Sequence, residues 1–115
     1  MTSNEYYYTQ QINSLVGERQ RYINLRDRIS GSLIPALQTP CNDLQSAKSA
    51  IKSSYEVEGE GVGEKEITET IEKLNANISK LNGTVISEIN NKISSINGSI
   101  DYFDYLLRLE REKGE

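Results

Sequence analysis

The fold of this chain is decided by residues 67–107, ITETIEKLNANISKLNGTVISEINNKISSINGSIDYFDYLL. Apolar residues recur there every three or four positions, at Ile67, Ile71, Leu74, Ile78, Leu81, Val85, Ile89, Ile93, Ile96, Ile100, Phe103 and Leu107. This spacing predicts one apolar stripe along one long amphipathic helix. A strand would require alternation, and a membrane span would require an apolar run without Lys80, Glu88 or Lys92.

The spacing changes once inside this stripe. Two consecutive steps of four, from Val85 to Ile89 and on to Ile93, replace the alternation of four and three. Because such an insertion locally unwinds a left-handed coiled coil, we expect an irregularity in the helix near Val85.

The composition suits a single, thin helical domain spanning residues 1–115. Only 36% of the 115 residues are hydrophobic, and Cys41 has no second cysteine to pair with. The net charge of −4 disfavours a nucleic-acid partner, because such partners attract basic proteins. The N-terminus has no charged-then-apolar leader, so we expect a cytoplasmic protein, with export by a signal-less route left open.

The first half of the chain predicts a second long helix over residues 4–55. Thr2-Ser3-Asn4-Glu5 fits a capping box at its start. Arg19 occupies a position where an apolar residue is expected. Its methylene chain can lie along the seam while its guanidinium group stays in contact with water. The expected apolar positions are Tyr8, Ile12, Leu15, Tyr22, Leu25, Ile29, Leu33, Leu37, Leu44, Ala47, Ile51 and Tyr55.

The middle of this first helix contains two prolines. The ring of Pro35 would collide with the carbonyl of Gly31, four residues before it. Thr39 and Pro40 resemble a helix cap followed by the first helical residue. We therefore expect the first helix to be kinked or broken between residues 31 and 40.

Two helices joined by a short loop bury their stripes by folding back on each other. Residues 56–63, EVEGEGVG, predict that loop, and the second helix is expected over 64–112. The fold class is thus all-α, a long antiparallel two-helix hairpin. With a hinge near residue 60, facing residues have numbers that add to about 120. Arg19 then lies near Asp101 and Asp104, and Pro35 lies opposite Val85.

The face behind the apolar stripe of the second helix is unusually small and uncharged. It carries Ala76, Gly83, Ser87, Asn91, Ser94, Gly98 and Tyr105. One interpretation is a tolerated polar surface, and the other is close approach by a partner helix. The aromatic residues near the termini are expected to form one cluster, which serves as a core plug or an interface. The cluster would comprise Tyr6, Tyr7, Tyr8, Tyr22, Tyr102, Phe103 and Tyr105. The candidate partner-binding residues are Gly83, Ser87, Asn91, Ser94, Gly98, Tyr102, Phe103 and Tyr105.

Residues with catalytic potential are scarce. Without histidine, and with one cysteine, the usual nucleophile–base pair cannot be assembled. The glycines of 56–63 alternate with carboxylates and lack the lysine of a phosphate-binding loop. Arg19, Arg21, Arg26 and Arg28 are interleaved with acids and suit a solvated or partner-pairing face. We expect neither an enzyme nor a metal or cofactor site.

Three stretches resemble a known family: Ser32-Leu33-Ile34-Pro35-Ala36-Leu37, residues 47–59 (AKSAIKSSYEVEG), and the Ile-rich second helix. They are similar to the Lap proteins, the small α-helical partners of LXG toxins in Gram-positive type VII secretion. The family's C-terminal Y-x-x-x-D/E motif is not matched, since Tyr105 has Leu109 at that spacing. If the likeness holds, the export signal lies on another member of the complex.

The resemblance implies a non-enzymatic targeting factor or chaperone. It would bind the helical LXG region of a toxin, together with a second small helical partner. Self-association of the isolated chain is left open, because a lone hairpin buries only one stripe per helix. The alternative from another class is a self-associating coiled-coil structural protein with no secretion role. A lipid-surface binder is disfavoured by the acidic charge balance, and no direct membrane insertion is expected.

Overall fold

The chain is an all-α helical hairpin. The computed structural model describes residues 2–54 and 63–114. The first half contains α1 (Ser3–Arg28), a π-helical segment that we call π1 (Ile29–Leu33), and α2 (Ile34–Ser54). The second half contains α3 (Glu64–Lys80), a second π-helical segment, π2 (Leu81–Val85), and α4 (Ile86–Lys113). The predicted fold class is confirmed. The predicted loop lies outside the described residues, apart from Gly63.

Both helical halves begin at recognisable residues. The backbone N–H of Glu5 donates to Thr2 Oγ1 at 3.1 Å, which confirms that Thr2 caps α1. Gly63 precedes α3 with φ 81°, a left-handed conformation that glycine adopts without steric cost. Glu64 and Glu66 then occupy the first turn of α3, where carboxylates favour the positive end of the helix dipole.

The chain divides into two compact units, and unit 1 comprises Met1–Arg26 and Ser87–Glu115. Its α4 side buries Ile89, Ile96, Ile100 and Leu107. Arg19 donates to Asn97 Oδ1 at 2.7 Å, and Arg26 donates to Asn90 Oδ1 at 3.1 Å. The residue numbers in both pairs add to 116, so the two helices run antiparallel in a register that differs from the expected 120.

Unit 2 comprises Asp27–Ile86. In it α2 packs on α3, and π1 contacts π2. Its buried residues are Ile29, Ile34, Cys41 and Ile71. The Cys41 thiol donates to Asn75 Oδ1 at 3.3 Å, again between residues whose numbers add to 116. The prediction that the irregularity of one helix faces the irregularity of the other is therefore confirmed.

The irregularity in the first helix is a π turn and not a break. The N–H of Ile34 bonds to Ile29 O, five residues back instead of four. Residues 34–54 then continue as one helix, with Pro40 inside it. The suggestion that a new helix begins at Thr39-Pro40 is wrong. Thr39 Oγ1 instead donates to Pro35 O at 3.3 Å, a side-chain bond that suits a stretch where proline removes backbone donors.

The π turn also explains which residues of the first helix face inward. Apart from five half-buried residues of α1 (Glu5, Thr9, Gln11, Glu18 and Ile23), the buried or half-buried positions follow steps of three and four, except for one step of five from Ile29 to Ile34. These positions are Tyr8, Ile12, Leu15, Arg19, Tyr22, Arg26, Ile29, Ile34, Leu37, Cys41, Leu44, Lys48 and Ile51. Leu25, Leu33 and Ala47 were expected in the stripe and are exposed. For Leu33 the reason is that α spacing was carried through π1, which takes up one additional residue and moves the seam to Ile34. Beside Ala47, the seam position is taken by the half-buried Lys48. The predicted Tyr55 lies outside the described residues.

The stripe of the second helix is confirmed throughout. Every predicted position from Ile67 to Leu107 is buried or half-buried. The irregularity expected near Val85 is π2, which ends at that residue. There the N–H of Ile86 reaches back to Leu81 O, five residues earlier. The extra residue in the heptad pattern is thus absorbed by one widened turn.

Candidate interaction surface

The outward face of α4 in unit 1 is an uncharged stripe from Ser87 to Leu109, and the exposed Glu112 follows it at the C-terminal end of the helix. At about 100° per residue, its members lie within a sector of roughly 80°, directly behind the buried seam. They form what we call the outer stripe: Ser87, Asn91, Ser94, Gly98, Tyr102, Tyr105 and Leu109. All seven are exposed, and none carries a charge. The first four are small, and the last three are large and apolar or aromatic.

Small residues on this face are not required by packing within the chain. A Cβ atom added at Gly98 would meet no heavy atom within 4 Å, and the same holds for Gly83. Glycine in a helix interior costs about 1 kcal/mol relative to alanine. The fold therefore accepts a cost at these positions without an internal contact that explains it. Gly83 lies in π2 of unit 2, whereas the other candidate residues lie in unit 1.

The aromatic residues of unit 1 form a cluster near the chain termini. Phe103 lies at its centre, with ring centroids 5.6 Å from Tyr102, 6.2 Å from Tyr8 and 6.4 Å from Tyr7. Tyr7 and Tyr8 also meet edge to face at 5.7 Å. Such offset and edge-on contacts are the favourable geometries for aromatic pairs. The predicted cluster is thus confirmed for four rings.

Tyr22 does not belong to this cluster. It is fourteen positions after Tyr8 on α1, a distance of about 21 Å along the helix. It lines a shallow cleft of about 290 Å³ with Glu18, Arg21 and Leu25. Counting aromatic residues by their nearness to the termini overlooked this separation along the helix axis.

The tyrosines around the cluster leave much of their surface free. Tyr6, Tyr7, Tyr102 and Tyr105 are each more than half exposed. The phenol oxygen of Tyr6 accepts a bond from Gln10 Nε2 at 2.6 Å on the same helix. Phe103, by contrast, is half-buried beneath its neighbours. Of the candidate partner-binding aromatics, Tyr102 and Tyr105 are thus accessible, whereas Phe103 contributes mainly to the seam.

The polar contacts across unit 1 differ from those expected. Arg19 was expected beside Asp101 and Asp104, which is wrong, because its guanidinium donates to Asn97. The register explains the difference, since 116 in place of 120 moves the facing residue by one helical turn. A usable signal was present in the sequence. Arg19 and Arg26 are seven apart, and so are Asn90 and Asn97, as repeated pairs along a heptad seam require.

Metal-binding geometry, cysteine exposure and helix hydropathy can each be described for residues 2–54 and 63–114. Across residues 2–54 and 63–114, no group of three or more His, Cys, Asp or Glu side chains is placed to hold a metal ion. Cys41 is buried against Asn75, away from solvent. None of the helices in those two ranges combines the length and hydropathy needed to cross a bilayer.

Comparison of the chain with protein-family models, with characterised proteins and with solved structures found no match.

Proposed function

We propose that this protein is a non-enzymatic targeting factor or chaperone that packs against the helical LXG region of a toxin and enables its type VII secretion. Binding would be side-by-side helix packing, without catalysis. The protein would act in the cytoplasm and leave the export signal to another member of the complex, with a second small helical partner completing that complex. Co-export with the cargo is compatible with this role.

The observation that carries the proposal is the second uncharged face of α4. One face buries Ile89, Ile96, Ile100 and Leu107 within unit 1. The opposite face, the outer stripe, is exposed and combines small residues with aromatic ones. A solvated helix face is ordinarily charged, whereas a helix covered on two sides is uncharged on both. The outer stripe fits a helix that is meant to be covered on both sides.

The resemblance to the Lap proteins supplies the identity of the proposed partner. It rests on residues 32–37, on 47–59 and on the Ile-rich second helix. Small residues on the outer stripe suit a helical partner, because helix axes approach to about 8 Å only where the contacting side chains are short. An LXG toxin gene beside the gene for this protein would support the partner independently.

The experiment that tests the proposal compares two glycine substitutions. Gly98→Leu lies on the outer stripe, and Gly17→Leu provides a matched control on α1, where an added Cβ also meets nothing within 4 Å. Each should stabilise the free protein by about 0.5–1 kcal/mol through helix propensity. Only Gly98→Leu should weaken binding to the LXG region, by about tenfold or more, because leucine keeps the partner helix away.

Thermal melts and a quantitative pull-down with the LXG region measure the two effects. Equal binding by both variants would mean that the outer stripe is not the contact surface. No binding of an LXG region by the unaltered protein would refute the function itself. Gly83→Leu is best measured separately, because Gly83 lies within π2 and its substitution also perturbs the widened turn.

A further inference from the structure

The C-terminal half of the outer stripe is the most apolar exposed surface of α4. Tyr102 is 58% exposed, Tyr105 52% and Leu109 36%. Gly98 precedes them one turn before Tyr102. Exposed aromatic rings at helical spacing suit a contact with another helix, because tyrosine offers a large apolar area with a polar tip.

One acidic and one basic side chain flank this surface. Asp101 and Arg108 lie on the same flank of the outer stripe, seven residues apart and therefore two turns apart. Both are exposed, and in the described part of the chain neither makes a hydrogen bond or an ion pair. The acid precedes the base, with Tyr105 between them.

We infer that a second copy of this chain packs antiparallel on the outer stripe, about a two-fold axis close to residue 104. In this arrangement Asp101 of each copy meets Arg108 of the other, so both pairs form at once. A two-fold interface has this property, because each contact occurs twice with the roles exchanged. A parallel arrangement would place Asp101 and Arg108 of the two copies on opposite flanks of the contact, so neither pair would form.

The apolar residues fit the same axis. Antiparallel packing about residue 104 sets Leu109 of one copy against Gly98 of the other, so a large side chain meets a position without one. It also sets Tyr102 beside Tyr105 of the second copy. The charged pairs give one position for the two-fold axis, and the apolar pairs give another. The two positions differ by one residue along the helix. That agreement between two kinds of contact favours a second copy as the occupant of the outer stripe in the free protein, before a toxin takes its place.

The contact is small, and this sets the expected strength. The helices would overlap over roughly residues 95–113, about 27 Å of helix at 1.5 Å per residue. One helix pair of this length buries less than the area of a standard stable interface. We therefore expect a dissociation constant in the micromolar to millimolar range. The dimer belongs to the free protein, and no toxin enters the test, so its failure leaves the proposed function untouched.

Sedimentation equilibrium of the full chain, over about 10 μM to 1 mM, tests the inference. Asp101→Arg and Arg108→Asp should each weaken dimerisation by about tenfold, because each replaces two attractions with two repulsions. The double variant Asp101→Arg/Arg108→Asp should restore it. Residues seven apart do not pair within one helix, so such rescue can arise only between copies. Circular dichroism verifies that each variant keeps its helix content.

A second pair of variants tests the apolar contact. Tyr105→Ser should weaken dimerisation, whereas Tyr6→Ser should not, although Tyr6 is exposed to a similar degree at 57%. A monomer at every concentration would overturn the inference. A dissociation constant that is unchanged by the single charge substitutions would also overturn it. So would a double variant that dimerises as weakly as either single variant.

Discussion

Removing one residue from a helix ordinarily destroys its packing, and this protein offers two places where it should not. Deleting Gly83 turns the five-residue π2 turn into a four-residue α turn. The apolar positions before and after it still follow steps of three and four, because the step from Leu81 to Val85 shortens from four to three. Because a π turn holds one additional residue at nearly the same rise, the seam stays in phase. The deletion also removes a glycine that costs about 1 kcal/mol in a helix.

Deleting Ser94 from the regular part of α4 is the matched control, since Ser94 is also small and exposed. Every residue after it would rotate by about 100° against the seam. Ile96, Ile100 and Leu107, which are 4%, 9% and 6% exposed, would leave the core. At about 1.5–3 kcal/mol for each buried side chain, the loss is roughly 5–9 kcal/mol. That is as large as the whole stability of a typical domain.

Urea unfolding followed by circular dichroism measures both deletions. The Gly83 deletion should change the free energy of unfolding by no more than about 1 kcal/mol in either direction. Removing glycine raises the helix propensity of the segment, but π1 would then face a regular α turn and no longer a second π turn. Deleting Gly31 from π1 as well should restore that match and raise stability above the parent chain. A Gly83 deletion as damaging as the Ser94 deletion would refute the assignment of a widened turn.

Three further changes test individual contacts. Phe103→Ala should cost about 2–4 kcal/mol in urea unfolding, because three tyrosine rings lose their central neighbour, and a loss below 1 kcal/mol would contradict the ring cluster. Arg19→Leu should stabilise unit 1 by about 1 kcal/mol in a thermal melt, because leucine suits the half-buried seam and water can solvate the exposed Asn97. Destabilisation would show that the Arg19–Asn97 hydrogen bond contributes more than apolar burial at this position. Thr2→Ala should cost about 1 kcal/mol and speed amide exchange in the first turn of α1, whereas unchanged exchange would argue against the cap.

The sequence predicted those parts of the fold that depend on periodicity. The second-helix stripe could be identified residue by residue, because its isoleucines repeat regularly and its one change of step begins at Val85, where π2 ends. Most of the first helix could also be predicted, since Leu37, Leu44 and Ile51 lie in the seam as expected. The exceptions are Leu25, Leu33 and Ala47, which are exposed. At Leu33 the extra residue of π1 shifts the seam to Ile34, and no composition rule signals a five-residue turn.

The register and the surface were harder to predict. The hinge estimate of 120 assumed that the loop is centred near residue 60, whereas the Arg19–Asn97 and Arg26–Asn90 bonds give 116. The small outer face of α4 could be recognised on a helical wheel. The wheel could not show which aromatic residues touch, because contact between rings depends on the pairing of α1 with α4. Tyr22, for example, lies too far along the helix axis to reach the other rings.

The ring cluster also gives the protein an intrinsic optical probe. The chain has seven tyrosines and no tryptophan, so its near-ultraviolet signal comes from phenol rings without a dominant indole. Tyr7, Tyr8 and Tyr102 lie close to Phe103 in unit 1, and aromatic transitions held in fixed mutual orientation give circular dichroism between about 270 and 285 nm. Separation of α1 from α4 at the terminal end of unit 1 would remove the Tyr7–Phe103 and Tyr8–Phe103 contacts. That change would reduce the signal while leaving the far-ultraviolet helix bands intact. Opening of this end can thus be followed in the unlabelled protein.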